Sequence, residues 1–555
     1  MELQVWRIAI YLLATCWMVP PLGNGLYERI ENSFSKLASR RSACIIILFF
    51  VTIAIRLALL PVFPYPHPYA HDEFGYLLQA DMFAHGHLAY PPHALAPYFE
   101  TFYVSFHPTY SSMYPPAQGA TLAVGQLLGN PWIGVVLSTS AMVAAILWML
   151  QGWFPARWAL LAAIIVLARI AIFTSWMNSY WGGSVATIGA ALVLGALPRL
   201  KRFERPRDAL LLGIGTIILA NSRPFEGFIF CIPVAFALLF WVLQLRKKKH
   251  AIPVRRVLFP ILACLIVNVV FTLYYNRRLT GDAFTFPRTL YYKQNLSVSP
   301  FICGKILPPF HYANAQFESF FNGWMRGLYN GRWADLKKIE LLHLNEFWLF
   351  FLGGLLSFVF LSAPWFLRDR RIRFVLWQFL ICAVGLLSVT WFEPHYAAPA
   401  FCAFLIIVVQ AFRHLRRWTW HGRPVGVSLT RQMVSLVMLM VPVCAYEQIQ
   451  HPHEITCWNY QPPWTRHWIA SQLNQIAGDH LVIVRYSADH DPQDEWVYNS
   501  ADIDHSRIVW AREIRAMDLV PLFAYYPSRK VWIVEPDANP PLLHPFTPGS
   551  LPATR

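Results

Sequence analysis

The chain has 555 residues, 56% of them hydrophobic and 14% charged, with a mean hydropathy of +0.39. Soluble domains carry about a quarter charged residues, so the composition excludes a soluble globular protein and points to an integral membrane protein. The net charge of +16 does not indicate nucleic acid, because Lys and Arg fall in short clusters between apolar runs, as the positive-inside rule expects of cytoplasmic loops.

Residues 5–20 are apolar but interrupted by Arg7, and read as an extra span or an interfacial helix. Lys36, Arg40 and Arg41 precede the apolar run 43–62, which sets that span running outward from the cytoplasm. From 63 to 130 Pro, His and Tyr break the chain too often for it to cross; this first outward loop carries Asp72 and Glu73 side by side. Behind them Tyr76, Leu77, Gln79, Phe83 and Ala84 recur at helical spacing, which predicts an amphipathic helix on the outer membrane surface. After the Tyr114-Pro115-Pro116 turn, the run 117–128 is too short to cross a hydrocarbon core of about 30 Å and reads as interfacial.

Apolar runs follow at 131–150, 158–176, 185–200, 209–221, 225–243 and 257–275. Basic clusters at 199–207 and 246–256 fall in alternate connections, so the turns 178–183 and 222–227 face outward. A second outward loop covers 276–345, and runs at 347–366, 374–391, 396–412 and 433–445 bring the expected total to about twelve transmembrane helices. From 447 the composition turns polar. Short β-rich runs at 480–486, 496–498, 507–510 and 531–534, with helical stretches at 467–476 and 512–519, predict a small α/β domain. The expected architecture is an all-α polytopic membrane domain over 1–446, with outward loops 63–130 and 276–345, followed by a soluble extracytoplasmic α/β domain over 447–555. Of the cysteines only Cys303 and Cys457 lie in polar segments, both outward, which leaves a disulfide between them open.

All the outward segments share one side of the membrane, where a lipid-anchored substrate meets an extracytoplasmic acceptor. Moving a sugar off a polyprenyl phosphate requires a carboxylate to take the acceptor proton and cations to stabilise the departing phosphate. Asp72 or Glu73 supplies the first; Arg223, Lys293, His395 and Arg288 supply the second. Each has a plainer alternative. Asp72 precedes a predicted helix and could serve as its N-cap; Arg223 could snorkel to lipid headgroups; Lys293 could be a solvated loop charge, and Tyr396 a belt residue. Arg56 and Arg169 lie inside apolar runs, so they must face the bundle interior or snorkel. His85 and His87, two apart, diverge on a helix and make a poor metal site.

With Asp72-Glu73 after the first core span, Tyr76 behind them, the Tyr114-Pro115-Pro116 turn before a short interfacial helix, and alternating outward loops, the sequence resembles the GT-C superfamily of membrane glycosyltransferases over roughly residues 42–412. The resemblance is to the branch holding the protein O-mannosyltransferases, the lipid A aminoarabinose transferase and galacturonosyl transferases. It implies an inverting enzyme of the bacterial inner membrane that moves a sugar from a polyprenyl-phosphate donor to an extracytoplasmic lipid, glycan or protein. Asp72 is then the base with Glu73 beside it, and Arg223, Lys293, His395, Tyr396, Tyr76 and Glu226 serve substrate and phosphate. Members commonly carry a further acid in a later outward loop. The turn 178–183 has none, so either Glu226 or Glu393 serves or that function is absent, and the resemblance admits a divalent cation without naming its ligands. Two readings from other classes stay open: a polyprenyl-lipid or glycolipid transporter, which would need polar residues through the depth of several spans, and a catalytically inactive membrane scaffold.

Overall fold

The computed structural model describes residues 24–247, 254–329, 333–451, 464–514 and 517–546. The run 5–20 and Cys457 lie outside them; Cys303 is exposed. Among the described residues seven helices are long and apolar enough to cross a membrane: Arg41–Ala58, Pro131–Trp153, Gly183–Phe203, Pro224–Lys247, Val254–Thr280, Ala398–Leu415 and Val425–Gln450. The pair Lys337–Phe351 and Gly353–Phe366, bent by 91°, makes an eighth if taken as one span. The chain is thus a multi-pass membrane protein. The other expected spans are shorter in the structure. Run 209–221 is the 17-residue helix Pro206–Ser222, and run 374–391 holds the 14-residue helix Arg373–Leu386. Run 158–176 ends its helix Ala156–Val166 in a π turn, Leu167–Ala171. Each is shorter than the 18 residues that all seven of the longer helices reach.

Helices that are apolar all round belong in the centre. Ala398–Leu415 has 89% of its apolar window buried, whereas Val254–Thr280 has 11% and turns its Leu, Ile, Val and Phe side chains outward. Gly183–Phe203 and Pro206–Ser222 cross at backbone contact: a Cβ on Gly189 would stand 2.9 Å from the Gly215 carbonyl oxygen, and one on Gly215 2.6 Å from that of Gly189. This small-residue crossing draws the turns before Gly183 and after Ser222 to the same end of the bundle.

That end is capped by the C-terminal residues. Their sheet runs Ile508–Arg512, His480–Val484, Lys530–Glu535, Leu542–Pro545, the first three strands parallel and the last antiparallel. The central strand is buried throughout because both its faces are covered. Val482 and Val484 pack on Ile469, Leu473 and Trp496, while Leu481 and Ile483 pack on Leu78, Met82 and Phe99 of the first loop. Two sequence expectations change as a result. The helix behind Asp72, His71–Ala84, does not lie on a surface but is buried on both sides, since the terminal sheet covers the face assigned to solvent. Residues 496–498 form no strand: Val497 N–H donates to Glu495 Oε1 at 2.8 Å, a side-chain bond in place of a ladder. Nor is 512–519 a helix among its described residues, because Arg512 completes a strand and Asp518 Oδ1 accepts from Val520 N–H at 2.9 Å to start the helix Val520–Tyr525.

Histidines mark the docking surface. His67 stacks on His467 with centroids 3.6 Å apart, Phe74 stacks on Tyr498 at 4.0 Å, and His71 Nδ1 pairs with the Tyr498 hydroxyl at 2.8 Å. Burial, with His467 beside it, pushes His67 down to about 4. Burial and Arg466 lower His467, and burial takes His71 to about 4 against the pull of Glu495. A histidine lowered in the folded state binds fewer protons there than when unfolded, so its stabilisation is complete above about pH 6.5 and is lost as pH falls towards about 4. Docking is therefore expected to loosen over that window, seen as falling amide-exchange protection in the strand His480–Val484. His67→Phe, which keeps a stacked ring without the charge, should remove part of the dependence; an unchanged pH response would exclude the pair as its source.

Candidate active site

Two buried side chains of opposite charge build this end of the bundle without touching each other. Arg56, fully buried, donates from Nε to Asn178 Oδ1 at 3.1 Å and from its two Nη atoms to the carbonyls of Phe63 and Pro64 at 2.8 and 2.9 Å. Its carbon lies 4.7 Å from the ring centres of Phe63 and Trp132. The charge is thus accommodated inside an apolar helix by dipoles and rings, and its donors are engaged with the chain itself.

Glu73 does the converse. Its Oε2 accepts from Tyr69 and Ala70 N–H, each at 2.9 Å, and its Oε1 from Tyr180 N–H at 3.0 Å. The N-cap of helix His71–Ala84 is Ala70, which has no capping oxygen, so Glu73 at the third helical position reaches back to serve the orphan amides. The same carboxylate holds the 178–183 turn against the first loop. Gly182 closes that turn at φ 85°, where a Cβ would stand 2.2 Å from Gln118 Oε1, and Gln118 donates to the Tyr180 carbonyl at 2.8 Å. Burial raises the Glu73 carboxyl to about 6 against these three amides.

Asp72, one residue earlier, is therefore not the N-cap. It receives a short hydrogen bond from the Tyr114 hydroxyl on Oδ1. Tyr114 is held by Gln79, which donates to its carbonyl at 2.9 Å, and stacks at 4.2 Å on Tyr76, which lies buried beneath it. Asp72 and Glu73 face a cavity of about 540 Å³. A second cavity of about 250 Å³, largely apolar, reaches between the helices Pro224–Lys247 and Val254–Thr280, with Phe225, Glu226, Thr272 and Phe286 in its lining. The two share a wall of Met113, Tyr114, Arg288, Tyr292, Trp391 and Tyr396. Burial raises the Asp72 carboxyl, opposed by the Tyr114 hydrogen bond and by the charges of Arg223 and Arg288.

The structure brings Arg288 to this wall; Arg223 lies outside both linings, against Tyr396 of the wall, and Lys293 is exposed and outside both. Arg223, 6% exposed, lies 4.1 Å over the Tyr396 ring, and Arg288 donates from Nε to the Tyr292 hydroxyl at 2.7 Å. Neither forms an ion pair with a carboxylate among the described residues. His395 is buried against Trp181 and Tyr396, outside both linings, and among the described residues its Nε2 has no hydrogen-bond partner. Burial and the two arginines hold it far below the usual histidine range, hence neutral. Glu393 lines the larger cavity and is raised to about 8 by burial, Glu346 and Asp72. Among the described residues no group of three or more His, Cys, Asp and Glu could hold a metal ion, and both oxygens of Glu73 are engaged by amides. Sequence reasoning passed over the Tyr114 hydroxyl and set Lys293 level with Arg288. The spacing of Arg288 and Tyr292, four apart on the helix Pro287–Asn295, is the signal that separates them.

No protein-family model matches the chain. No curated protein matches it either. Among solved structures it is similar to ArnT from Cupriavidus metallidurans bound to undecaprenyl phosphate, at 12% identity over 90% of this chain and 93% of that one, with a TM-score of 0.48. It is also similar to the oligosaccharyltransferase AglB from Archaeoglobus fulgidus in complex with an inhibitory peptide and a dolichol-phosphate, at 12% identity over 89% and 69% of the two chains, with a TM-score of 0.41. Each is a partial likeness in the course of the chain, at an identity that says nothing of shared chemistry.

The division of labour between the adjacent acids is testable. Glu73→Gln places an amide NH₂ against backbone donors and is expected to cost on the order of 3 kcal/mol of stability, whereas Asp72→Asn should cost about 1 kcal/mol or less. Thermal unfolding of the two purified variants separates them, and equal losses would contradict the assignment.

Proposed function

We propose that the protein transfers a sugar from a polyprenyl-phosphate donor to an acceptor hydroxyl, with inversion, on the outward face of a bacterial cell membrane. The observation that carries this reading is a pair of guanidiniums that form no ion pair with a carboxylate among the described residues: half-buried Arg288 in the wall between an apolar cavity and the cavity that Asp72 faces, and buried Arg223 against Tyr396 of that wall. Arginines remain charged at working pH, and two that lack a counter-ion suit a phosphate. The apolar cavity takes the first isoprene units of the lipid, entering from the outward-turned helix Val254–Thr280. The larger cavity takes the acceptor. The distribution of Arg and Lys between alternate loops supports an extracytoplasmic position for this face and the terminal domain on it.

In this mechanism Asp72 Oδ2, the oxygen not engaged by Tyr114, takes the proton of the acceptor hydroxyl. The acceptor oxygen attacks the anomeric carbon from the side opposite the phosphate, and the carbon–oxygen bond to phosphate breaks. The electron pair leaves on the lipid phosphate, where Arg288 and Arg223 stabilise the charge. Tyr396 holds Arg223 through its ring, and Tyr292 orients Arg288. Glu73 and Tyr76 act on the site through the backbone and Tyr114, while Glu226 borders the lipid cavity.

Membranes carrying Asp72→Asn are expected to lose about 10²–10⁴-fold in transfer from radiolabelled polyprenyl-phosphate sugars, with the protein still inserted. Full activity in that variant would sink the assignment. The pH profile gives a second check. A base must be ionised, so transfer should rise with pH through the raised Asp72 pKa. Tyr114→Phe removes a hydrogen bond that favours the carboxylate, and should move the acid limb to higher pH. An acid limb that stays in place or moves down would show that Asp72 is not the titrating group.

A further inference from the structure

The larger cavity is built by the membrane domain except at one point. Of the residues that line it, Gln493 alone comes from the C-terminal domain. It is half-buried, and the hydrogen bonds of the described residues leave its side-chain amide without a partner. The loop that presents it is braced on every side. Gln493 N–H donates to Asp491 Oδ1 at 3.0 Å, and His490 Nδ1 pairs with Asp537 Oδ1 at 2.6 Å. Trp496 Nε1 donates to Asp494 Oδ1 at 3.0 Å, and Glu495, 2% exposed, pairs with Arg512. Beyond it Tyr498 joins the loop to His71, the residue next to Asp72. So many side chains committed to one short loop fix the backbone from which Gln493 lines the cavity that Asp72 faces.

The rest of the lining says what such an amide meets. Trp181, Trp324, Trp391, Phe320 and Tyr329 present rings to the same space. Aromatic faces suit the C–H face of a rigid ring, and a primary amide offers two donors and an acceptor, which matches adjacent hydroxyls. An acyl chain would have no use for the amide.

We infer that the acceptor is a carbohydrate and that Gln493, supplied by the C-terminal domain, is a specificity-determining contact to its hydroxyls. The inference rests on the proposed transfer and names the acceptor class for that same site.

The test uses the full chain purified in detergent, with tryptophan fluorescence as the signal. The probes are a panel of soluble oligosaccharides of neutral hexoses, amino sugars and uronic acids, a panel of uncharged Ser- and Thr-containing peptides, and undecaprenyl phosphate. At least one oligosaccharide and no peptide should saturate the signal. Gln493→Leu, close in size, should weaken that oligosaccharide by about fivefold, the effect of one hydrogen bond, and leave undecaprenyl phosphate binding unchanged. Peptide binding, no oligosaccharide binding, or equal affinities in Gln493→Leu and wild type would overturn the inference. Undecaprenyl phosphate binding that Arg288→Ala fails to weaken would instead overturn the donor reading, so the two failures are told apart.

Discussion

The arrangement depends on one buried carboxylate. Taking Glu73 out of water is unfavourable unless its oxygens are satisfied, and here three backbone amides from two separate segments satisfy them. Removing any of those amides would leave an unsatisfied charge, so the carboxylate dictates where the first loop and the 178–183 turn must meet. Successive helical residues are rotated by about 100°, and that step gives two neighbouring acids different surroundings. Glu73 turns to backbone donors, and Asp72 turns to the Tyr114 hydroxyl and the cavity. The first holds the site together and the second is left available for chemistry.

The arginines divide in a similar way. Arg56 has its donors on an amide oxygen and two carbonyls, which closes it to any ligand. Arg223 and Arg288 are instead accompanied by tyrosines. A ring face or a phenol stabilises a guanidinium without cancelling its charge, so these two keep a positive field at the wall between the cavities. His395 is kept neutral by its burial, to which that field adds.

Much of this was legible in the sequence, and the failures have physical causes. Composition and the placement of Lys and Arg identify a membrane protein, and the adjacent acids of the first loop stand out because so few charges surround them. Hydropathy reads apolar length and not helix continuity, so it does not report the π turn at Leu167–Ala171 within an unbroken apolar run. The helix behind Asp72 looked like a surface helix because its second covering, the sheet of the terminal domain, lies some four hundred residues away in sequence. The same distance hid Gln493, since no local pattern reports that a loop is folded back over a cavity made by other parts of the chain. Lys293 and Arg288 illustrate a narrower limit, for both are cations in one outward segment and only their helical phase relative to Tyr292 sets them apart.

The shared wall also constrains the reaction. If the lipid phosphate lies against Arg288 and Arg223, its chain runs into the apolar cavity and its sugar points into the larger one. The anomeric carbon then stands near the boundary, with the phosphate on one side and Asp72 on the other. An acceptor hydroxyl activated by Asp72 can approach only from the side away from the leaving group. Inversion in this reading follows from Asp72 activating the acceptor on the side opposite the guanidiniums. A retaining double displacement would require a second carboxylate placed as nucleophile, and Glu73 cannot take that role while its oxygens hold three amides. The bond that positions the base thus also removes the neighbouring acid from competition.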